Sequence, residues 1–500
     1  MNRRIRNIGI VVMAAYLVLF VKLNQVQVLQ ASALNDRPDN TRALQRDFNR
    51  PRGDIVTADG TVVATSDPRR ASLRYQRRYP EGDLWAHVTG YFSFTLGSTG
   101  VERTYNDELS GRTPSLRLHE LTGMFSDSSS DGTVVLSLRD RVQRAARDAL
   151  GDRRGSVVAL DPRDGAVLAM WSNPSYDPNV VSNNDAKIAG AAKRLLDAAP
   201  DKPLLARSYQ ERFFPGSTFK VVTSTAGLTS GKVTETDPSY PVVTSYTPPL
   251  TSRPIRNFGG RPCGGTLFVI LQRSCNSSFA QMAVEQLGPE SLVAAARAAG
   301  FGQAPPLDLT RPVASVFPED YGPVVARPAG RAPVHADEPR LAQVAIGQND
   351  VAASPLQMAL VAAGVANAGK VMAPHVMAEI RASDGAVVQR FAPRRWATSM
   401  SPEVAATLRR AMVSVVERGS AGAAAVPGAE VGAKTGTAQL GTQPPTSHAW
   451  MVAFAGEPGQ PPSVAVAVIL ERVPGASDQT GGRLAGPIVR SVVRAALGRP

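Results

Sequence analysis

The chain reads as an α/β protein of the α+β kind: a five-stranded antiparallel sheet flanked by helices, preceded by a smaller N-terminal domain and an apolar N-terminal segment. Three observations predict this. Two apolar strand-like runs, "SVVALDP" and "AVLAMWS", flank Arg163, Asp164 and Gly165 as a hairpin signature. Three more, "GAKTGTAQL", "HAWMVAFAG" and "SVAVAVILERV", stand near the far end, ahead of a closing helix from about Pro487 to Leu497. The stretch between them is mostly helix-like and loop, so two early and three late strands can share one sheet with helices on its faces.

Composition supports a large folded body. Five hundred residues, 43% hydrophobic, with 43 Gly and 39 Pro, suit two or three globular domains rather than a disordered or fibrous chain. The formal charge of +13 raises nucleic-acid binding as a possibility. The arginines are spread along the chain with no zinc-ligand or RNP-like pattern beside them, so the charge is read as facing an anionic envelope and not nucleic acid.

The N-terminus sets the compartment. Arg3, Arg4 and Arg6 precede "IGIVVMAAYLVLFV", after which Lys22, Asn24, Gln25 and Gln27 interrupt the apolar run. Basic residues stay on the cytoplasmic side, so the body is expected outside the membrane. The triplet "ASA" at 31–33 resembles a signal-peptidase site, which leaves a cleaved signal open, while apolar spacing at Leu23, Val26 and Val28 favours an uncleaved anchor. Three regions follow: 1–29, the cytoplasmic tip and membrane anchor; 30–133, an arginine-rich strand-and-turn region closing on the serine-rich "SDSSSDG"; and 134–500, the large domain.

Within the large domain, "RFFPGSTFKVVTSTAGL" places Ser217 and Lys220 three residues apart where a Pro-Gly turn opens an apolar, helix-like run. Residues i and i+3 share a helix face, so the lysine can reach the serine hydroxyl. Only eight of the 55 basic residues are lysines, and this is the only lysine with a serine three residues before it. Unlike arginine, lysine can release its proton, which a poor nucleophile such as serine needs from its neighbour. An S-x-x-K also describes a capping serine followed by a surface lysine, so its weight depends on company.

Two elements supply that company. "RSCNSSF" puts Ser274 and Asn276 at a junction between two helix-like runs, and "AKTGTAQ" puts Lys434, Thr435, Gly436 and Thr437 on a strand. Glycine on that strand lets a substrate backbone approach, and the threonine hydroxyls can bind a carboxylate. Ala433 stands where a phosphate-binding loop needs glycine before its lysine, which removes that reading. Cys263 and Cys275 are the only cysteines, and they form either one bridge or two buried thiols. The five histidines show no metal-ligand spacing. His448 and Trp450, on the strand after Lys434, are candidates either for the edge of the cleft or for the structure behind it.

The constellation resembles the penicilloyl serine transferases, whose S-x-x-K, S-x-N and K-T-G elements line one cleft. Cys275 replaces the aspartate of the S-D-N form found in class A β-lactamases. "RGDI", from Arg52 to Ile55, and "GVERTYNDELSG", from Gly100 to Gly111, are similar to pedestal motifs of class B penicillin-binding proteins, and the resemblance runs from about 50 to 500. A pedestal of this size leaves no room for a glycosyltransferase domain.

The resemblance implies a penicillin-binding transpeptidase fold of the serine β-lactamase type and a peptidoglycan D,D-transpeptidase reaction without metal or organic cofactor. Ser217 would attack the carbonyl between two terminal D-alanines of a stem peptide, with Lys220 as base and Ser274 relaying a proton. Backbone N–H groups of Ser217 and Thr437 would form the oxyanion hole. Asn276 would hold the substrate amide, and Lys434 with Thr435 and Thr437 its terminal carboxylate, with Gly436 between them. The implied partners are stem peptides ending in D-Ala-D-Ala, β-lactams as covalent inhibitors, the membrane and other cell-wall synthesis or division proteins. A D,D-carboxypeptidase or a β-lactam sensor would use the same residues.

Overall fold

The structure is a computed structural model that describes residues 2–26, 42–116, 118, 131–474 and 481–499. The "ASA" triplet and most of the serine-rich linker lie outside these residues. At the N-terminus Asn2–Asn24 is one continuous helix of 23 residues. At 1.5 Å per residue it measures roughly 34 Å, enough for a bilayer's hydrocarbon core of about 30 Å. Its apolar side chains are exposed, and among the described residues it is the one helix long and apolar enough to cross a membrane.

The N-terminal region builds a six-stranded sheet in the order Val387–Arg390, Met377–Arg381, Thr133–Leu136, Ile55–Val56, Val62–Pro68, Tyr75–Arg78. Two of these strands come from a hairpin more than 240 residues downstream of Thr133, and the sequence boundary at 133/134 falls inside the Thr133–Leu136 strand. Strand pairing across such a separation leaves no periodic trace in either segment.

A buried carboxylate locks this sheet to the helix Gly100–Thr104. Glu102 is fully buried and accepts 2.6 Å hydrogen bonds from Nε of both Arg52 and Arg77, while the Tyr79 hydroxyl donates to it at 3.2 Å. The motifs "RGDI" and "GVERTYNDELSG" therefore meet through Arg52 and Glu102 in one ion-pair cluster that Arg77 completes. Burial alone would raise the Glu102 pKa, but Arg77 and Arg52 outweigh it and hold the carboxyl below its usual value of 4.5. Its stabilising contribution is then complete above about pH 4.5 and is lost as pH falls through the depressed native value. Glu102→Ala leaves two buried cations without a counter-charge, and thermal unfolding should show a loss of about 3–5 kcal/mol.

The second sheet has the order Glu430–Gln439, Thr446–Gly456, Val464–Pro474, Gly155–Leu160, Val167–Asn173, with every neighbouring pair antiparallel. Two early and three late strands thus share one sheet. Ser447 through Gly456 are buried without a break, so both faces are covered. The helix Pro355–Ala366, apolar all round and fully buried, packs on three of these strands, and Gly486–Ala496 packs on the sheet beside Asp140–Leu150. Ser354 and Ser401 cap the helices that follow them by accepting from the backbone N–H of Gln357 and Val404, with proline at the first helical position in each. The second of these, Pro402–Arg418, ends by delivering 418–420 to the edge of the Glu430–Gln439 strand.

Candidate active site

The three motifs converge where the Glu430–Gln439 strand meets the helical layer. Gly216 has φ +54°, and a Cβ there would come within 2.7 Å of the Thr437 carbonyl, so glycine is what lets the turn lie against this strand. The next turn, Gly216–Phe219, is a 3₁₀ helix that passes into an α-helix at Lys220–Thr229. Thr218 fixes it by donating from its hydroxyl to the Pro215 carbonyl at 2.7 Å. Ser217 is left half-buried at the cleft, while Lys220 is fully buried.

The Lys220 amine donates to the Ser274 carbonyl at 2.8 Å, to Asn276 Oδ1 at 2.7 Å and toward Ser274 Oγ at 3.3 Å. Ser274 itself caps the helix Leu267–Arg273 in a left-handed conformation with φ +59°, which turns its side chain toward the lysines before Asn276–Gln281 begins. Non-glycine residues hold such a backbone at a cost on the order of 1–3 kcal/mol, typically at functional sites.

Lys434 arrives from the opposite side. It is fully buried and donates to Ser274 Oγ at 2.8 Å and to the Thr435 carbonyl at 2.9 Å. One hydroxyl therefore stands between two buried amines. Such a centre can pass a proton between the helix carrying the nucleophile and the strand. Thr435 shares a 2.9 Å hydrogen bond with Ser420, and Thr437 lines the same wall. Gly436 has a different reason for being glycine than the one expected. A Cβ there would meet the Pro215 carbonyl and Thr218 Cγ2, each at 2.9 Å, so it makes room for the nucleophile's turn and not for a substrate backbone.

These residues surround a cleft of about 590 Å³ whose lining includes Ser217, Ser274, Thr435, Gly436 and Thr437. Asn276 lies behind the lining, with Oδ1 committed to Lys220 and Nδ2 donating to the Arg256 carbonyl at 3.1 Å. Cys263 and Cys275 are disulfide-bonded, with their Cα atoms 5.5 Å apart, so the S-x-N turn is tied to the strand Cys263–Gly265. His448 and Trp450 stand behind the site. The Trp450 indole donates to the Phe214 carbonyl at 3.0 Å, bracing the turn that carries Ser217. The His448 ring packs edge-on against Phe213, and its pKa is lowered to about 4 by burial, with Arg472 and Arg154 adding to the effect. Among the described residues no group of three or more His, Cys, Asp or Glu is placed to hold a metal. The sequence reading missed the indole brace, because no local pattern links Trp450 to Phe214. It also missed four arginines at the cleft, Arg261, Arg273, Arg418 and Arg483, which only the fold brings together.

Known proteins resemble the chain over most of its length. A family model described as the penicillin binding protein transpeptidase domain matches residues 155–494, and one described as the penicillin binding protein A dimerisation domain matches residues 52–135. The chain is 37% identical to peptidoglycan D,D-transpeptidase PbpA of Mycolicibacterium smegmatis and 36% identical to that of Mycobacterium tuberculosis, over 99% of this chain and of each relative. Among solved structures, the ceftriaxone acyl-enzyme complex of penicillin-binding protein A from M. tuberculosis superposes with a TM-score of 0.80 at 34% identity, covering 91% of this chain and 100% of that one. The penicillin G acyl-enzyme complex of the same protein gives 0.78 at 34% identity, covering 89% and 99%.

Proposed function

The chain belongs to the class B penicillin-binding protein transpeptidases, and from that premise we propose how its own residues run the reaction. It is a serine-type peptidoglycan D,D-transpeptidase that crosslinks stem peptides through a penicillin-sensitive acyl-enzyme. Ser217 attacks the carbonyl of the penultimate D-alanine of a donor stem. The hydroxyl proton passes to Lys220, and Ser274 carries a proton on to the departing amine, so D-alanine leaves as the ester forms. Backbone N–H groups of Ser217 and Thr437 hold the developing oxyanion, and Lys434 with Thr435 and Thr437 holds the terminal carboxylate. An amine of a neighbouring stem then attacks the ester and restores Ser217.

The observation that carries this reading is the Ser274 hydroxyl between Lys220 and Lys434, facing the cleft that Ser217 also lines. Incubating the protein with a stem pentapeptide and an amine-bearing stem tests it. A crosslinked product that disappears on prior exposure to penicillin is expected. Tetrapeptide alone would mean a carboxypeptidase, and no released D-alanine would mean a sensor or scaffold.

The domain reading is a membrane anchor at 1–29, a pedestal at 30–133 and the transpeptidase domain at 134–500, with 377–390 lent to the pedestal sheet. The helix Asn2–Asn24 supports a single-pass placement in the cell membrane with the body outside the cytoplasm: among the described residues it is the one helix long and apolar enough to cross a membrane, and Arg3, Arg4 and Arg6 precede its apolar run. The pedestal then sets the cleft at a distance from the bilayer, where other wall-synthesis or division proteins can dock.

The disulfide is assigned a positioning role. It closes a loop with a sequence separation of 12, worth on the order of 3 kcal/mol in the chain-entropy model, and it holds the turn that presents Ser274. Cys263→Ser should therefore slow β-lactam acylation by more than its lowered melting temperature accounts for. Acylation rate and thermal midpoint measured on the same preparations check this. An unchanged rate beside a lowered midpoint would leave the bridge a purely structural part.

A further inference from the structure

We propose that this enzyme's acceptor is an acidic one: an amine carrying, beyond the carboxylate next to its nitrogen, a second carboxylate that Arg261 and Arg273 bind. This rests on the transpeptidase reading above and deepens it. Among the described residues, the cleft lining holds four arginines and no aspartate or glutamate. The side chains of Arg261, Arg418 and Arg483 have no described hydrogen-bond or ion-pair partner, and Arg273 reaches only the Pro262 carbonyl, at 3.0 Å. Three other arginines, Arg154, Arg207 and Arg409, are paired with glutamates. The four at the cleft keep planar forks suited to a carboxylate.

Their order along the wall indicates which reactant they serve. Gly482 packs against Ser420 and Thr435, which places Arg483 beside the end of the cleft assigned to the terminal carboxylate. Ser420 bonds Thr435 at 2.9 Å through its hydroxyl and donates its backbone N–H to the Gln272 carbonyl at 3.3 Å, linking the Arg418 segment to Arg273. Arg273 in turn reaches Pro262, next to Arg261. The four cations thus form one arc that starts at the terminal-carboxylate end and runs away from it.

D-Alanine departs at that end. By microscopic reversibility, the acceptor amine that replaces it enters there, with its own adjacent carboxylate taking the place of the one that left. One carboxylate engages only the near end of the arc. Arg261 and Arg273, at the far end, each stand two residues before a half of the Cys263–Cys275 bridge, which pins both to one wall for a second anionic group.

The test is acyl transfer from a thioester donor to D-glutamate or D-glutamine, which share the α-carboxylate and differ in the second. The full-length protein should favour D-glutamate severalfold. R261Q/R273Q should lower the ratio of the two transfer rates about fivefold, on the scale of exposed charge pairs, and R261K/R273K should restore most of it. Raising salt to about 0.5 M should flatten the preference. An unaltered ratio in R261Q/R273Q, or no preference in the wild type, overturns the proposal. A wild-type protein that neither turns over the thioester nor takes up penicillin would overturn the transpeptidase reading beneath it.

Discussion

Ser217→Ala should take up no penicillin where the unaltered protein gains one adduct per chain, located by peptide mapping on the segment containing Ser217. The rival is Ser274, whose hydroxyl lies 3.3 Å from Lys220 Nζ and 2.8 Å from Lys434 Nζ. Its geometry argues against nucleophilic attack. Lys434 points an N–H bond at Ser274 Oγ, which occupies a lone pair that an attacking oxygen must present, and Lys220, the base, stands at its other side. Ser217 keeps its hydroxyl half-exposed on the first turn of a helix, beside the backbone of Thr437. The N-terminal end of that turn adds backbone dipoles that favour the oxyanion formed on attack. Ser274→Ala should therefore still be labelled, at a rate lowered on the 10²- to 10⁴-fold scale of general acid–base catalysis. Stoichiometric label on the Ser217→Ala protein, mapped to Ser274, would invert the assignment.

The contrast between these two serines marks what sequence can and cannot disclose. Spacing places Ser217 and Lys220 on one helical face, and strand patterning puts Lys434 to Thr437 on a strand of a sheet whose five members were legible as strand-like runs. These are local signals with a period. The meeting of Lys220 with Asn276, of Lys434 with Ser274 and of Trp450 with Phe214 depends on how elements distant in sequence dock, and docking has no period. The same limit explains the Met377–Arg381 and Val387–Arg390 hairpin, which leaves the large domain to complete the pedestal sheet. Gly436 shows a subtler limit. The residue type was readable as a demand for space, but the occupant of that space, the Pro215–Thr218 turn, was not. For the Arg52–Glu102–Arg77 cluster, the motif resemblance marked both segments, and only the fold shows that one carboxylate joins them.

Lys220→Arg should cut acylation by roughly 10²- to 10⁴-fold, whereas Lys434→Arg should cost about tenfold or less. Both side chains are fully buried, both touch Ser274 Oγ, and both substitutions keep a positive charge, so a site that needed only charge would treat them alike. The difference lies in what each amine is asked to do. Lys220 shares a helix with the nucleophile and must accept the proton that Ser217 sheds, a task closed to a guanidinium that stays protonated at any working pH. Its position at 2.7–2.8 Å from an amide oxygen and a backbone carbonyl also suits a compact amine better than a planar fork. Lys434 is buried behind the cleft wall, where it holds Ser274 and the Thr435 carbonyl, and there a fixed cation suffices and arginine supplies one. Melting curves of both variants separate lost chemistry from lost folding. If Lys220→Arg does not fold, Lys220→Ala with added methylamine replaces it, since a small neutral amine in the vacated space should recover part of the rate and an added guanidinium should not. Equal, mild losses in the two arginine variants would mean that charge alone explains both lysines, and the base would then have to be sought elsewhere in the cleft.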